Sequence, residues 1–400
     1  MAAREVVILG AARTPIGRYG GALKDVHAAE LGAVAARAAI ERAGVPADEI
    51  DEVIVGHARQ AGSGPNPARQ IGHRAAVPVS APAYTINKAC ASGMQAIASA
   101  AQSILLGESD CVLAGGVESM SRMPYLIDSS DVRWGHRMGN FTLVDAMYRD
   151  GFQDPLSGLI MGETAEVLAR QYGITREASD RFAAESQQKA EAAQKAGYFT
   201  REIAPVTVTE KNKTTVVDTD EHPRHGTTVE SLAKLPLVFG DVEGQPGIIT
   251  AGSSSGITDG GAALVLASDR WAADRGLKPL ARVVGWASAG VDPRVMGIGP
   301  VPAVAKLYER HGLALSSFDL VEINEAFAAQ VLAVLKDLSI APEKLNVNGG
   351  AIALGHPIGC TGARIVVTLL HEMLRRAVSS GLATLCVSGG MGMAMAIETM

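Results

Sequence analysis

Four cysteines stand far apart in the 400-residue chain, at 90, 111, 360 and 386, and two of them have surroundings suited to reaction. Cys90 lies in YTINKACASGMQAI (84–97), where an extended run gives way to small residues and then to apolar residues at helical spacing. A lone cysteine is most often a small core residue. The alternative is a nucleophile at a helix start, where outward-pointing N–H groups favour thiolate and lower the thiol pKa. Ala91, Ser92 and Gly93 leave room for a substrate. Cys386, in TLCVSGGMG, reads alone as a strand cysteine of the core. The Ser388-Gly389-Gly390 that follows changes this, because a strand ending in small residues lets backbone N–H groups face a cavity. Cys111, inside an apolar strand, and Cys360, inside a Gly-rich turn, are expected to be structural.

His356 lies in NGGAIALGHPIGCTGARI, where five glycines between 349 and 362 and Pro357 make a tight loop before a helix. Such a loop holds a histidine rigidly and lets backbone approach a ligand. It has neither the spacing and lysine of a phosphate loop nor a G-x-G-x-x-G pattern. Asn324 and Glu325, in EINEAFAAQ, end an apolar strand, which is where α/β sheets bind ligands. Asn324 reads either as a helix cap or as an amide that fixes a water or holds a carbonyl oxygen.

The elements that must position these residues alternate. Strands are expected at 5–12, 51–56, 83–87 and 110–116, with helices at 29–44 and 92–106 between them. The last 120 residues repeat the plan: strands at 280–290, 319–327, 345–350 and 382–390, and helices at 302–312 and 361–379. Alternation of this kind implies an α/β protein with a parallel-rich layered sheet. CVLAGGVE (111–118) and LCVSGGMG (385–392) fall at matching places, which points to an internal duplication. Residues from about 121 to 250 are richer in charge, Met, Tyr and Phe. They read as an α-rich insertion covering one end of the sheets, with a long helix at 175–197 capped by Thr175. The expected division is 1–120 plus 251–271, then 121–250, then 272–400.

Bulk composition narrows the function. A formal net charge of -6 argues against nucleic-acid binding, which needs basic surface. No run of eighteen unbroken apolar residues suggests a membrane span. The start, MAAREVVILGAARTP, runs straight into a strand pattern. The widely spaced cysteines form neither a disulfide framework nor a metal pattern, so a reducing, cytoplasmic setting is expected.

Taken together, NKACASGMQAI, GGVESMS, NEAFAAQ, NGGAIALGHPIGCTGAR and LCVSGGMG closely resemble the thiolase family, as do ARTPIGRYGG, NPARQ (66–70) and TAGSSSGITDGGA (250–262). The resemblance covers nearly the whole chain. It implies the thiolase fold, two α/β halves with an inserted loop domain, in a homo-oligomer, dimer or tetramer. It also implies acyl transfer between coenzyme A thioesters, with no other cofactor and no metal. By motif, Cys90 resembles the acyl-accepting nucleophile and Cys386 the acid/base for the α-proton. His356 resembles the residue that activates Cys90 and donates to the thioester oxygen, and Asn324 the holder of a water beside it. The backbone N–H groups of Cys90 and Ser388 fall in the oxyanion role. The same resemblance sets Ser255 beside the pantetheine arm, Arg224, Ser231 and Phe239 near nucleotide or pantetheine, and Met161 and Phe327 in the acyl-pocket wall.

Three positions depart from the family pattern. Ser388 replaces a glycine. Ile160-Met161-Gly162 stands where the biosynthetic type often has His-Met-Gly. Ser253 stands where TAGN is common. The expected activity is acetyl-CoA C-acetyltransferase, interconverting two acetyl-CoA with acetoacetyl-CoA and CoA. The alternative is a 3-ketoacyl-CoA thiolase of fatty-acid breakdown, which Ile160 favours. Ketoacyl synthases usually pair one Cys with two His, unlike this chain, and a non-catalytic CoA- or lipid-binding relative would lack the reactive set.

Overall fold

Apolar strands and helices stopped by left-handed glycines assemble two copies of one plan. In the computed structural model, residues 4–211 and 213–400 are described. The first copy contains β1 (Val6–Arg13), α1 (Ala28–Ala43), β2 (Glu52–His57), β3 (Ala83–Ile86), α2 (Ser92–Leu106), β4 (Cys111–Ser119) and, after the insertion, β5 (Thr258–Ser268). The insertion contributes α3 (Met161–Tyr172) and α4 (Arg176–Lys195), with short strand pairs at 125–145, 206–217 and 241–246. The second copy contains β6 (Ala281–Gly290), α5 (Pro300–His311), β7 (Leu320–Ile323), α6 (Ala328–Asp337), α7 (Ile358–Arg376), β8 (Ser380–Val387) and β9 (Met391–Thr399). Gly44 and Gly312 end α1 and α5 in the same left-handed cap.

The long strands run β7-β8-β9-β6-β1-β5-β4-β2-β3. Reading outward from the β1–β6 seam, β1-β5-β4-β2 mirrors β6-β9-β8-β7, so the duplication is visible in the topology. The expectation of a parallel-rich sheet is corrected. Only β2–β3, β2–β4 and β7–β8 are parallel, and the strands that return beside each β-α unit, β5 and β9, run antiparallel to both neighbours. β9 itself was not foreseen.

α1 packs on one face of the first half and α5 on the outer face of the second, while α2 and α7 lie between the halves. α2, apolar enough by composition to span a membrane, belongs to this central layer. It meets α7 at backbone distance at two points: a Cβ on Gly93 would sit 2.7 Å from the Ala363 amide, and one on Gly362 2.5 Å from that of Met94.

The expected strand at 345–350 is absent. A single bridge, Leu345 to Val321, remains. The cause is Asn346, which is left-handed (φ 41°) and pairs with β7 through its side chain. Its Oδ1 accepts from Ile323 N–H at 2.8 Å and its Nδ2 donates to Ile323 O at 2.9 Å. The expected helix at 361–379 begins earlier, at Ile358, and a short turn of helix, Ala351–Leu354, occupies part of the expected loop.

Candidate active site

Each reactive side chain sits where a chain segment changes direction. Cys90 follows β3 in a sharp turn whose Ala89 is forced left-handed (φ 45°), and α2 begins two residues later. Such a conformation is costly for a residue with a Cβ and marks a functional constraint. Cys386 lies near the end of β8, before Gly389 (φ 84°) and Gly390 (φ 82°) reverse the chain. Ser388 lies outside those left-handed positions, so replacing glycine there carries no backbone penalty. His356 sits between Gly355 (φ 99°) and Pro357, at the start of α7.

All three line one cavity of about 650 Å³. Ser388, Ser255, Arg224, Phe239, Met161 and Phe327 share its wall. Met161, Met296, Ala326 and Phe327 form an apolar cluster around Cys386. Ser255 is fixed by donating its N–H to Ala326 O at 3.0 Å. Asn324 is fully buried, and among the described residues neither its Nδ2 nor its Oδ1 has a hydrogen-bond partner, which leaves the amide free for solvent or ligand. It is not on the cavity wall. Ser231 is also off the wall: it is exposed, and its hydroxyl donates to Thr228 O at 2.7 Å and accepts from Thr228 N–H within a capping turn. Ser253 likewise caps a turn, with Thr250, and Ile160 lines the cavity as its backbone opens α3. Cys111 and Cys360 are buried in the core.

Electrostatics corrects one expectation. Burial dominates at Cys90 and pushes its thiol up, although Arg59 and the backbone N–H groups of Ser388 and of Cys90 itself, both directed at the sulfur, pull it down. The helix start alone does not make a resting thiolate. Burial also raises the Cys386 thiol, with Cys90 as the second cause. His356 is pushed down to about 3 by burial, then by the charges of Arg364 and Arg59, so its ring is neutral near pH 7.

Donor counting fixes the tautomer. Thr361 Oγ1 lies 3.0 Å from Pro357 O and 2.6 Å from His356 Nδ1. A carbonyl only accepts, so the single hydroxyl proton goes to Pro357 O. His356 Nδ1 therefore carries the ring proton and donates to Thr361, which leaves a lone pair on Nε2.

Three contributors escaped the sequence reading. Glu118, in β4, accepts from the N–H groups of Ala58, Arg59 and Gly359 and lies 2.9 Å from His57 Nε2, so it ties the end of β2 to the start of α7. His222 lines the cavity and bonds Ala353 O at 2.7 Å, against a Gly256 with no room for a Cβ. Arg59 is a buried cation on the same wall. Glu118 lies in GGVESMS, which enters the sequence reading only as a motif of the resemblance, and nothing local singles out the other two. Glu325, weighed beside Asn324, is a buried anchor for the His356 segment, held by Ser186, Asn346 and Ile352 N–H.

Residues 6–270 match the family model of the thiolase N-terminal domain, and residues 277–399 that of the thiolase C-terminal domain. The acetyl-CoA acetyltransferase of Rhizobium meliloti is 51% identical over 393 residues, 98% of each chain. That of Cupriavidus necator is 51% identical over 395 residues, 98% of this chain and 99% of the relative. Among solved structures, the Bacillus anthracis acetyl-CoA acetyltransferase superposes with a TM-score of 0.96 at 49% identity, covering 100% of both chains. Human mitochondrial 3-ketoacyl-CoA thiolase in complex with CoA gives 0.94 at 43% identity, covering 99% of this chain and 98% of that one.

Proposed function

The chain belongs to the thiolase family, and from that premise we propose that it is an acetyl-CoA C-acetyltransferase whose substrates are acetyl-CoA, acetoacetyl-CoA and CoA. The observation that carries the reading is the convergence on one cavity of two thiols and a neutral imidazole from three distant segments, with two backbone N–H groups aimed at one of the sulfurs.

In the cleavage direction, His356 Nε2 takes the Cys90 proton as the sulfur attacks the 3-keto carbon of acetoacetyl-CoA. The oxyanion that forms is stabilised by backbone N–H groups, and one such donor is typically worth about 10²–10³ in rate. The C2–C3 bond breaks and its electron pair passes to C2 as the enolate of acetyl-CoA. Cys386 gives that carbon its proton. His356, now protonated, donates to the thioester oxygen, backed by a water on the Asn324 amide. The first acetyl-CoA leaves and acetyl-Cys90 remains. The thiol of CoA then gives its proton to the Cys386 thiolate and attacks the acetyl carbon. Cys90 departs and recovers its proton from His356, and the second acetyl-CoA is released. Condensation is the same sequence reversed. Arg224, Phe239 and Ser255 serve the coenzyme A arm, Met161 and Phe327 wall the acyl group, and Ser231 borders the nucleotide end outside the cavity.

The test is intact-protein mass after mixing with acetoacetyl-CoA, followed by peptide mapping. One acetyl group is expected, on Cys90. Acetylation elsewhere, or none, overturns the assignment. A second reading, a 3-ketoacyl-CoA thiolase for longer chains, is favoured by the apolar Ile160 on the cavity wall. A panel of 3-ketoacyl-CoA thioesters separates them: fast turnover of long chains without acetoacetyl-CoA would replace the first reading by the second.

A further inference from the structure

The cavity contains a cation that the reaction just described does not use. Arg59 follows β2 and is only 7% exposed, yet it lines the cavity together with Cys90 and His356. Its backbone is fixed, since Arg59 N–H donates to both oxygens of Glu118 at 3.1 and 3.3 Å. Its side chain is fixed as well: Nη2 donates to Gly151 O at 3.0 Å, and a Cβ at Gly151 would meet Arg59 Nε at 3.0 Å. Nε is buried with no hydrogen-bond partner among the described residues. Among the described residues no carboxylate lies within 4.0 Å of the guanidinium. Glu118, the nearest acid in the chain of bonds, is committed to the backbone N–H groups of Ala58, Arg59 and Gly359.

A desolvated cation without a counter-charge is costly, and the usual compensation is an anion. The coenzyme A phosphates are poor candidates, because the cavity has other arginines for them: Arg18 and Arg224 are exposed at its rim. Arg59 is at the reacting end, where its charge is felt by both the Cys90 thiol and the His356 ring. The resting Cys90 thiol is neutral and supplies no anion. A group that reaches Arg59 while its thioester is at Cys90 must belong to the acyl chain.

We propose that Arg59 forms an anion subsite of the acyl cavity, so that the enzyme takes 3-ketoacyl-CoA thioesters carrying a distal carboxylate in addition to acetoacetyl-CoA. The proposal rests on the thiolase reading of the cavity. A planar guanidinium packed on Gly151 through Nε and Nη2 presents its remaining Nη donors to a carboxylate, a charge-assisted contact that arginine makes better than lysine. An uncharged chain of equal length would leave the guanidinium buried and unpaired, and sites with unpaired polar groups reject such analogues strongly.

The experiment compares thiolysis of 3-oxohexanoyl-CoA with that of the CoA thioester of 3-oxohexanedioic acid, its counterpart with a terminal carboxylate, by wild type and Arg59→Met. Wild type is expected to favour the carboxylate-bearing chain by about tenfold or more in kcat/KM, and Arg59→Met to lose or invert that ratio. Arg59→Lys should retain part of it. A wild-type ratio near one, or a ratio unchanged in Arg59→Met while both substrates slow together with Cys90 alkylation, overturns the subsite and leaves Arg59 acting on the Cys90 sulfur alone. Calorimetry on Cys90→Ala with hexanoyl-CoA and its terminal-carboxylate counterpart reads the subsite without turnover. With acetoacetyl-CoA as the third substrate, an enzyme that thiolyses it but neither six-carbon chain overturns the subsite, and one that thiolyses none of the three refutes the acetyltransferase reading, while the binding difference still decides on Arg59.

Discussion

His356 can accept the Cys90 proton only while Nε2 holds a lone pair, and Thr361 enforces that state by taking the Nδ1 proton as a hydrogen bond and passing its own to Pro357 O. Thr361 is a positioning residue, and its removal should be felt in chemistry more than in folding. Thr361→Val is expected to lower kcat by about 10- to 100-fold, part of the 10²–10⁴ that a general base supplies, while Thr361→Ser keeps most of the activity. Cys90 alkylation should slow in parallel. A valine variant with wild-type kcat would remove the role. The pH dependence has a definite sign. Burial raises the Cys90 thiol above its ordinary value, so its thiolate fraction still increases as pH rises through 9. Alkylation by iodoacetamide should climb across pH 7–10 with no plateau at neutrality, whereas a plateau below pH 7 would indicate a resting thiolate–imidazolium pair. At Cys386 the two thiol roles separate: Cys386→Ala should still accumulate acetyl-Cys90 yet fail to condense two acetyl-CoA, and failure to acetylate would move Cys386 into the first step. Much of this site was readable in the sequence because its parts carry dense local signals, a cysteine between strand and helix or a histidine among glycines. Arg59 carries none, since its meaning depends on Gly151, ninety-two positions away.

At the level of elements, the cavity depends on how closely α2 and α7 approach. Gly93 is the sharpest case, because two effects of replacing it have opposite sign. Alanine for glycine inside a helix ordinarily gains about 0.5–1 kcal/mol of propensity. Here the new Cβ would lie 2.7 Å from the Ala363 amide and 3.0 Å from Gly359 O, both on the backbone of α7, which cannot step aside as a flexible side chain would. Overpacking of this kind costs about 1–3 kcal/mol, so it wins. Gly93→Ala is expected to lower the urea midpoint and to reduce activity further, since α2 carries Cys90 at its start and α7 carries His356. An unchanged midpoint would show that the helices separate freely. Both helices were legible from apolar spacing and glycine stops. The 345–350 segment differs for the opposite reason: LNVNGG has strand-like alternation, but backbone pairing stops at Val321, and at Ile323 the Asn346 side chain takes over the bonds to β7. A side chain standing in for a strand leaves no periodic mark. The closing strand β9 escaped notice because MGMAMAIET is apolar on both faces, buried between β6 and β8.

For the whole molecule, strand order is the feature that sequence periodicity does not encode. Alternating β and α segments suggested parallel neighbours, yet β5 arrives only after the long insertion and closes antiparallel on β1 and β4. The two halves meet along a short seam, Val7 with Arg282 and Ile8 with Ala281, and rely on α2 and α7 packed between them. What lies at the outer edges bears on assembly. Among the described residues β3 ends the sheet with no strand on its outer side, where Asn66 Nδ2 donates to Ala83 O and Tyr84 is half-exposed, and an edge of this kind is a template for a second strand. The insertion exposes Trp134 at 82%, Met138 at 90% and Leu156 at 71%, side chains that a partner chain can cover. We propose a homo-oligomer, a dimer or tetramer, that covers these surfaces by closed symmetry. Light scattering behind size exclusion should give a mass that is a multiple of the 41.5 kDa chain at micromolar concentration. Trp134→Ser with Met138→Ser should reduce a tetramer to a dimer if the insertion joins dimers. A wild-type chain that stays monomeric across that range would leave both surfaces bare and refute the assembly.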